Sequence, residues 1–550
     1  MILSRLNKPQ LTALDFAIAG AATLVAAAIR LPALQTIPVF TDEIHDMEFA
    51  QRIAQGGYWP IVSYDMYNGP GLYYLLALGM RLGGGALWPR FLVLIIGSLT
   101  VGLSYFLGRS LAAHQRPDAP AFQRLAGLLA AAFMAVSFTP IVVNSHLIWS
   151  NSTSPFWVAL FLLAISETVR RDRVRWLVPA GILGGLAWQT HPSIVVIVLG
   201  AGLWVAVMRP AWLRSGWAWL GALMVLLFVS NIVLFTLTSG GANIDQAASR
   251  SYAWTGGASL SDYLVNVQGF LLTGYEMVAS SFRSALPPEV REGLLLSPPV
   301  ILLGGVTGVA LAYTARRAGL PLACWLVACL IIPYLNRRYN AYIEARYLAP
   351  LLPATYAAVG ALLAAALLAA VPRADAVGDR PVSVWGLVAQ PDSAAVGLTR
   401  RGVRLAVGLT AVGLIVLGLV YPLWRLQQYY DYQYASGRSN VRLWQIIAVG
   451  HQAHAEGAEV ITDRGLKDVR TLTGMNIDRV FDTLGDLEQI PLEKRRVERL
   501  PDSAVGSYLV LTDERRDLLA SILQLEPVDV GEPIAPVHTS GYWVYRVVGR

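Results

Sequence analysis

Eleven apolar stretches, most of them about as long as a helix that crosses hydrocarbon, constrain this chain more than any other feature. They lie near residues 12–30, 88–108, 125–143, 153–169, 176–190, 192–208, 217–238, 297–314, 320–335, 346–370 and 405–423. A bilayer core is about 30 Å thick and a helix rises about 1.5 Å per residue, so such segments are read as membrane-spanning helices, some of them short. The chain is 55% hydrophobic and 14% charged, which argues against a soluble multidomain enzyme. The first stretch follows Arg5 and Lys8 as a signal peptide would, but its length reads as an uncleaved span.

Eleven crossings place the two ends of the chain on opposite sides, and the distribution of basic residues orients them. Loops 1–11, 109–124, 170–175, 209–216, 315–319 and 371–404 hold 18 Lys or Arg in 80 residues, against 8 in 135 for loops 31–87, 144–152, 239–296 and 336–346. The first set is therefore expected on the cytoplasmic side, with the N-terminus, and the second outside. The net charge of +7 reads as membrane topology and not as a nucleic-acid patch. Cys324 and Cys329, five apart in an apolar run, suggest no disulfide framework.

One apolar piece, "PGLYYLLALGM" at 70–80, is too short to cross, so a helix along the outer interface is expected there. Beyond residue 424 the apolar runs shorten to strand length in "AEVITD", "SYLVLTD" and "GYWVYRVV", with a helical pattern in "DERRDLLASIL". The expected organisation is a polytopic α-helical membrane domain over 1–424 and a small extracytoplasmic α/β domain over 425–550.

The first outer loop opens on "TDEIHDMEFAQRIAQ", which places Asp42, Glu43, Asp46 and Glu48 within seven residues of an otherwise charge-poor chain. Thr41 as N-cap would put Asp42 and Glu43 in the first turn of a helix, where the dipole favours the ionised form. An ionised carboxylate at the water–lipid boundary suits a general base acting on a hydroxyl. Solvated acids at a helix start are the plainer reading, above all for Asp46 and Glu48.

"TDEIHDMEFAQRIAQGGYWP", followed by "YNGPGLYYLLALGMRLGGGALWPRFLVLIIGSLTVGLSYFLGRSL", resembles the GT-C integral-membrane glycosyltransferases of the protein O-mannosyltransferase and aminoarabinose-transferase type. The matching features are Asp42–Glu43 after the first span, the interfacial segment from Gly69, Arg90 at the start of the second span and Gly108–Arg109 at its end. "YIEARYLAPLLP" resembles the family's Arg-Tyr segment before a late span, with Arg346 and Tyr347 at the matching positions. The resemblance implies inverting transfer of a sugar from a polyprenyl-phosphate donor to a lipid, glycan or protein acceptor on the outer face. It makes Asp42 the essential carboxylate, with Glu43 beside it. Developing phosphate charge needs fixed cations, for which Arg346, Tyr347, Arg337 and Arg338 in "NRRYNAYIEARY" are the candidates.

Two departures stand out. Many such enzymes carry Lys before the interfacial helix, where this chain has Gly69 preceded by Tyr67 and Asn68. A further acid is common before the fourth span, where "NSHLIWSNSTSPFW" offers His146 and Asn151. With His191 of "WQTHPS", the residues Tyr67, Asn68, His146 and Asn151 are the candidates for the acceptor or the sugar. No His or Cys cluster has metal spacing, so no cofactor is expected, while divalent-metal use by Asp42, Glu43 and Asp46 stays open. A transporter or flippase of lipid-linked sugars is an alternative reading, as is an inactive sugar-binding assembly protein, although the spans hold almost no deep ionisable residue of the kind that couples transport.

Overall fold

The computed structural model describes residues 11–34, 41–250, 259–335, 342–371, 394–435, 443–462 and 504–550, the last stretch without 512, 529–535, 538–539 and 542. Each of the eleven apolar stretches is helical. They are α1 (Ala13–Arg30), α4 (Trp88–Gln115), α5 (Pro120–Val136), α7 (Ser154–Arg171), α8 (Leu177–Thr190), α9 (Ile194–Met208), the pair α10 (Gly216–Leu227) and α11 (Ser230–Thr238), α15 (Pro298–Ala318), α16 (Leu320–Leu335), α17 (Leu352–Ala370) and α18 (Ala394–Ala435). Between them lie α2 (Thr41–Gln55), α3 (Gly71–Arg81), the short α6 (Phe138–Val142), α12 (Ala242–Arg250), α13 (Leu260–Val278) and α14 (Pro288–Arg291).

Among the described residues six helices are long and apolar enough to cross a membrane, or seven with α10 and α11 counted as one span bent by 51°. The short spans among the eleven are α5, α8, α9 and α16, with 14 to 17 residues, about 21 to 26 Å. The cause is local. Ser137 leaves α5 with extended backbone (φ −65°, ψ 137°), and His191, which precedes Pro192, leaves α8 at φ −167°, ψ 142°, as a residue before proline tends to. The late span starts at Leu352 and not at 346, because 342–347 is wound as a 3-10 turn. Thr41 lies inside α2 and not ahead of it, and α18 runs unbroken past residue 424 to Ala435. The 19-residue α13, within the loop read as 239–296, was not anticipated.

Small residues set the centre of the bundle. In α17, "LPATYAAVGALLAAALLAA", nearly every side chain from Leu352 to Ala365 is buried, as a helix apolar all round should be. A Cβ added to Gly360 would lie 2.4 Å from the Ala126 carbonyl oxygen, so glycine there sets how closely α17 and α5 approach.

Polar contacts sort the helix ends into two groups, as alternating crossings require. At one end Asp15 of α1 meets Arg109 of α4 and Arg124 of α5, each at 3.2 Å, and accepts the Tyr105 hydroxyl at 2.7 Å. Glu167 of α7 joins this end through Ser110 of α4, and Arg317 of α15 donates to the Gln115 carbonyl there. At the other end Arg30 closes α1 against the Met134 and Ala135 carbonyls that finish α5.

The C-terminal region adds α19 (Leu443–Ala455), β1 (Val460–Thr462), β2 (Tyr508–Leu511), a helix at Asp513–Leu519, β3 (Gln524–Pro527), the two-residue strands β4 (Pro536–Val537) and β5 (Ser540–Gly541), and β6 (Trp543–Gly549). The main sheet has the order β1-β2-β6-β3; β1 and β2 are parallel with Val460 opposite Tyr508, and β6 runs antiparallel to both neighbours. Alternation divides its side chains between two layers. Ile461, Leu509, Leu511, Tyr545 and Val547 face Leu519 and Leu523. Val460, Tyr508, Val510 and Val544 join Val449 and Ala453 in one apolar cluster with Ile44, Met47, Phe49, Leu72, Tyr73 and Leu76 of α2 and α3. The sheet therefore packs on the α2–α3 hairpin.

Candidate active site

The helix α2 carries the acidic cluster, and its neighbours hold it at both ends. Glu43 is fully buried; Arg90 grips its two oxygens with Nε at 3.3 Å and Nη2 at 3.1 Å, and the Ile148 amide donates to Oε1 at 3.1 Å. Arg90 also donates from Nη1 to the Leu34 carbonyl at 2.7 Å. At the far end Arg81 donates to the Ala54 and Ile53 carbonyls, which α2 leaves open as it finishes. Asp46 is buried and accepts the Tyr73 hydroxyl at 2.7 Å, while His45 stacks on Tyr64 at 4.7 Å. The backbone of Asp42 lies in the first turn of α2; its side chain lies outside the described residues, as do Arg337 and Arg338 entirely.

Beside this helix a chain of ring and guanidinium contacts joins four of the expected residues. Tyr67 meets His191 edge to face at 6.3 Å, and His191 meets Tyr347 at 5.0 Å. Arg346 places its guanidinium 4.2 Å above the Trp149 ring and 5.1 Å from Tyr347, whose hydroxyl accepts from Nη2 at 3.1 Å. Such stacking holds a cation in place. Asn68 donates to Ser150 Oγ at 2.7 Å, and its buried Oδ1 has no protein donor. Asn151, 5% exposed, likewise has an Oδ1 without a donor.

The two histidines differ in station. His191 accepts the Ser193 amide at Nδ1 (3.2 Å), an arrangement that assigns the ring proton to Nε2. Burial, together with the neighbouring Arg346 guanidinium, lowers its pKa to about 3, so it is a neutral donor at neutral pH. His146 is fully buried with Nε2 2.6 Å from the Arg30 carbonyl oxygen. Burial lowers it to about 3, with Arg90 and Arg30 adding to the effect. Its described contacts put it with Arg30 and Arg90, and not in the Tyr67–Arg346 chain.

At Gly69, the place of the missing lysine, the structure leaves no room for a side chain. Its amide donates to the Gln189 carbonyl at 2.7 Å, and a Cβ would come 1.6 Å from Gln189 Oε1 and 2.9 Å from Gln189 Cβ. Gln189 in turn donates to Asn231 Oδ1 at 3.0 Å and to the Phe228 carbonyl at the α10–α11 bend, and Asn231 donates to the Ile61 carbonyl at 2.7 Å. The loop presenting Tyr67 and Asn68 is thus tied to the ends of α8 and α10. It carries backbone strain at Met66, with φ of 60°. Trp149, Ser150, Gln189 and Asn231 were not among the expected residues; aromatic and amide side chains at the rim of apolar runs carry no motif that singles them out. Among the described residues no three of His, Cys, Asp and Glu gather as metal ligands do.

Comparison with known proteins bears on this arrangement. Residues 68–235, from Asn68 through α11, match the family model described as dolichyl-phosphate-mannose-protein mannosyltransferase. No curated protein matches the chain in sequence. Among solved structures, ArnT from Cupriavidus metallidurans bound to undecaprenyl phosphate is similar over 96% of this chain and 97% of that one, with 16% identity and a TM-score of 0.48. The same protein in the apo state is similar over 97% of both chains, with 16% identity and a TM-score of 0.47. The arabinosyltransferase EmbB from Mycobacterium smegmatis is similar over 79% of this chain and 42% of that one, with 13% identity and a TM-score of 0.39. The segment 68–235, which carries Asn68, Trp149 and His191, is thus similar to the protein-mannosyltransferase family, in a chain whose described helices include six long and apolar enough to cross a membrane.

Proposed function

We propose that the enzyme transfers a sugar from a polyprenyl-phosphate carrier to an acceptor hydroxyl at the extracytoplasmic membrane boundary, with inversion at the anomeric carbon. A dolichyl-phosphate sugar is the donor class named in the matched family's description, and it supports the same class here. Asp42 takes the hydroxyl proton as the acceptor oxygen bonds to the anomeric carbon. The bond from that carbon to the phosphate oxygen breaks on the opposite face, and the phosphate leaves with the electron pair. Arg346, held on Trp149 and Tyr347, meets the charge that develops on it. Nε2–H of His191, Tyr67 and Asn68 stand near enough to one another to bind sugar hydroxyls.

One observation carries this reading. Glu43, the residue after Asp42, accepts the amide of Ile148, and the next residue, Trp149, is the platform under Arg346. The start of α2 and the phosphate-binding candidate are therefore separated by a single loop residue and one ring. Purified full-length enzyme supplied with a labelled polyprenyl-phosphate sugar tests the proposal. Asp42→Asn is expected to lower turnover by about 100- to 10,000-fold while donor binding persists. Full turnover by that variant would overturn it.

A further inference from the structure

Arg425 sits on α18, 2% exposed, ten residues before the helix ends. Its Nη1 donates to Gln428 on the next turn, but Nε and Nη2 are buried and have no acceptor, and no described carboxylate pairs with it. Nε and Nη2 form the side of the guanidinium that grips two oxygens at once. The same edge of Arg90 holds both oxygens of Glu43, at 3.3 and 3.1 Å, and that of Arg170 holds Glu167, at 2.9 and 2.5 Å. A buried guanidinium whose fork meets no anion is costly to the fold.

The surroundings fix its position and name the kind of anion. One turn before Arg425, the Tyr421 hydroxyl lies 2.6 Å from Ser281 Oγ. One turn after, Tyr429 packs edge to face on Phe138 at 5.2 Å, and Phe138 packs on Phe282 at 5.6 Å. Arg425 is thus held between two anchors to the turn at 280–282, where Ser280 has φ of 53°. Next to it Val420, Leu423 and Trp424 are 59%, 37% and 51% exposed, an apolar surface on a helix that crosses a membrane. An anion arriving along such a surface comes attached to a hydrocarbon tail.

We propose that Arg425 is a second anion site, which takes the phosphate of a membrane lipid side-on through Nε and Nη2. It does not depend on the roles given to Asp42 or Arg346. The test is native mass spectrometry and thermal unfolding of the full chain in maltoside detergent. The added probes are farnesyl phosphate, phosphatidylglycerol, inorganic phosphate and farnesol. Wild type is expected to retain two lipid phosphates, and Arg425→Met and Arg346→Met one each; a wild type that retains one, lost in Arg425→Met alone, would keep this site and remove the Arg346 reading. Arg425→Met is also expected to unfold at the same or a higher temperature than wild type without lipid, and to need at least tenfold more farnesyl phosphate for its stabilisation. A lower unfolding temperature with unchanged lipid stoichiometry would show that the guanidinium serves the fold, and overturn the site. Stabilisation by inorganic phosphate or farnesol equal to that by farnesyl phosphate would overturn its assignment to lipid phosphate. Should Arg425→Met fail to fold, Arg425→Lys, which keeps the charge and loses the fork, is expected to lose one bound lipid phosphate, and its retention would refute the proposal.

Discussion

The two ends of the helical body hold charge in different ways. At one, carboxylates meet guanidiniums directly: Asp15 receives Arg109 and Arg124, and Glu167 receives Arg170 and Arg171. At the other, Glu43 and Arg90 form such a pair, but Arg30 spends its donors on backbone carbonyls and Ser145, and Arg346 lies across Trp149 and Tyr347. The first end reads as fastening. At the second, the described supports of Arg30 and Arg346 are carbonyls, a hydroxyl and rings, a setting that fits the phosphate-bearing donor proposed above.

The comparison can be broken where the two kinds of charge lie side by side. Largest is the expected effect of Glu43→Ala, which strands Arg90 and removes the acceptor of the Ile148 amide. Loss of one partner of a buried pair costs about 3–5 kcal/mol, read as a fall in unfolding free energy. A Glu43→Leu, Arg90→Met double variant close to wild-type stability would confirm the pairing as the cause. Next is Arg346→Ala: the loss of charge-assisted hydrogen bonds worth about 1.5–3 kcal/mol should raise the donor KM by about 10- to 100-fold, with little change in unfolding temperature. If stability falls and the KM holds, Arg346 is a fastener like Arg109.

Gly69→Ala sharpens the contrast further. The added methyl forces Gln189 aside, at about 1–3 kcal/mol for overpacking, and should weaken turnover more than Gly305→Ala, where a Cβ meets nothing within 4 Å. Equal, unimpaired turnover in both would release the loop from any part in the site. The smallest effect at neutral pH concerns His146, neutral in the folded chain down to about pH 3 against 6.5 for an ordinary histidine. Below about pH 6.5 the unfolded chain takes up a proton that the folded chain does not, so stability falls with decreasing pH, by up to about tenfold in the folding constant per unit. His146→Gln should flatten that acid slope; an unchanged slope would show that His146 takes no part in it.

Much of this organisation is legible in the sequence, for reasons that differ by element. The eleven helical stretches follow from apolar length, and the helix at 71–81 from an apolar run too short to span. Strands β1, β2 and β6 follow from apolar runs of strand length separated by polar residues. Helix ends are less visible, because Ser137 and His191 stop their helices through backbone geometry that hydropathy does not register. The residues flagged singly, Tyr67, His191, Arg346 and Tyr347, come together in space, but the ring beneath Arg346 could not be found by sequence. Trp149 sits in a loop 197 residues away, and aromatic residues are common there. Gly69 reads as the loss of a cation until its distance to Gln189 is known; the structure makes it a site of close approach.

The shared cluster of α2, α3 and the C-terminal sheet has a consequence in time. Ile44, Met47 and Phe49 are covered by Val449 and Ala453, which the ribosome adds about 400 residues later, and by Val544, about 500 residues later. At about 5–20 residues per second, the hairpin carrying the acidic cluster waits roughly 20 to 80 s in the membrane with an apolar flank uncovered. Translation itself thus delays completion: the sheet that finishes this flank is made long after the hairpin it covers, so the nascent chain meets its lipid surroundings well before that flank is sealed.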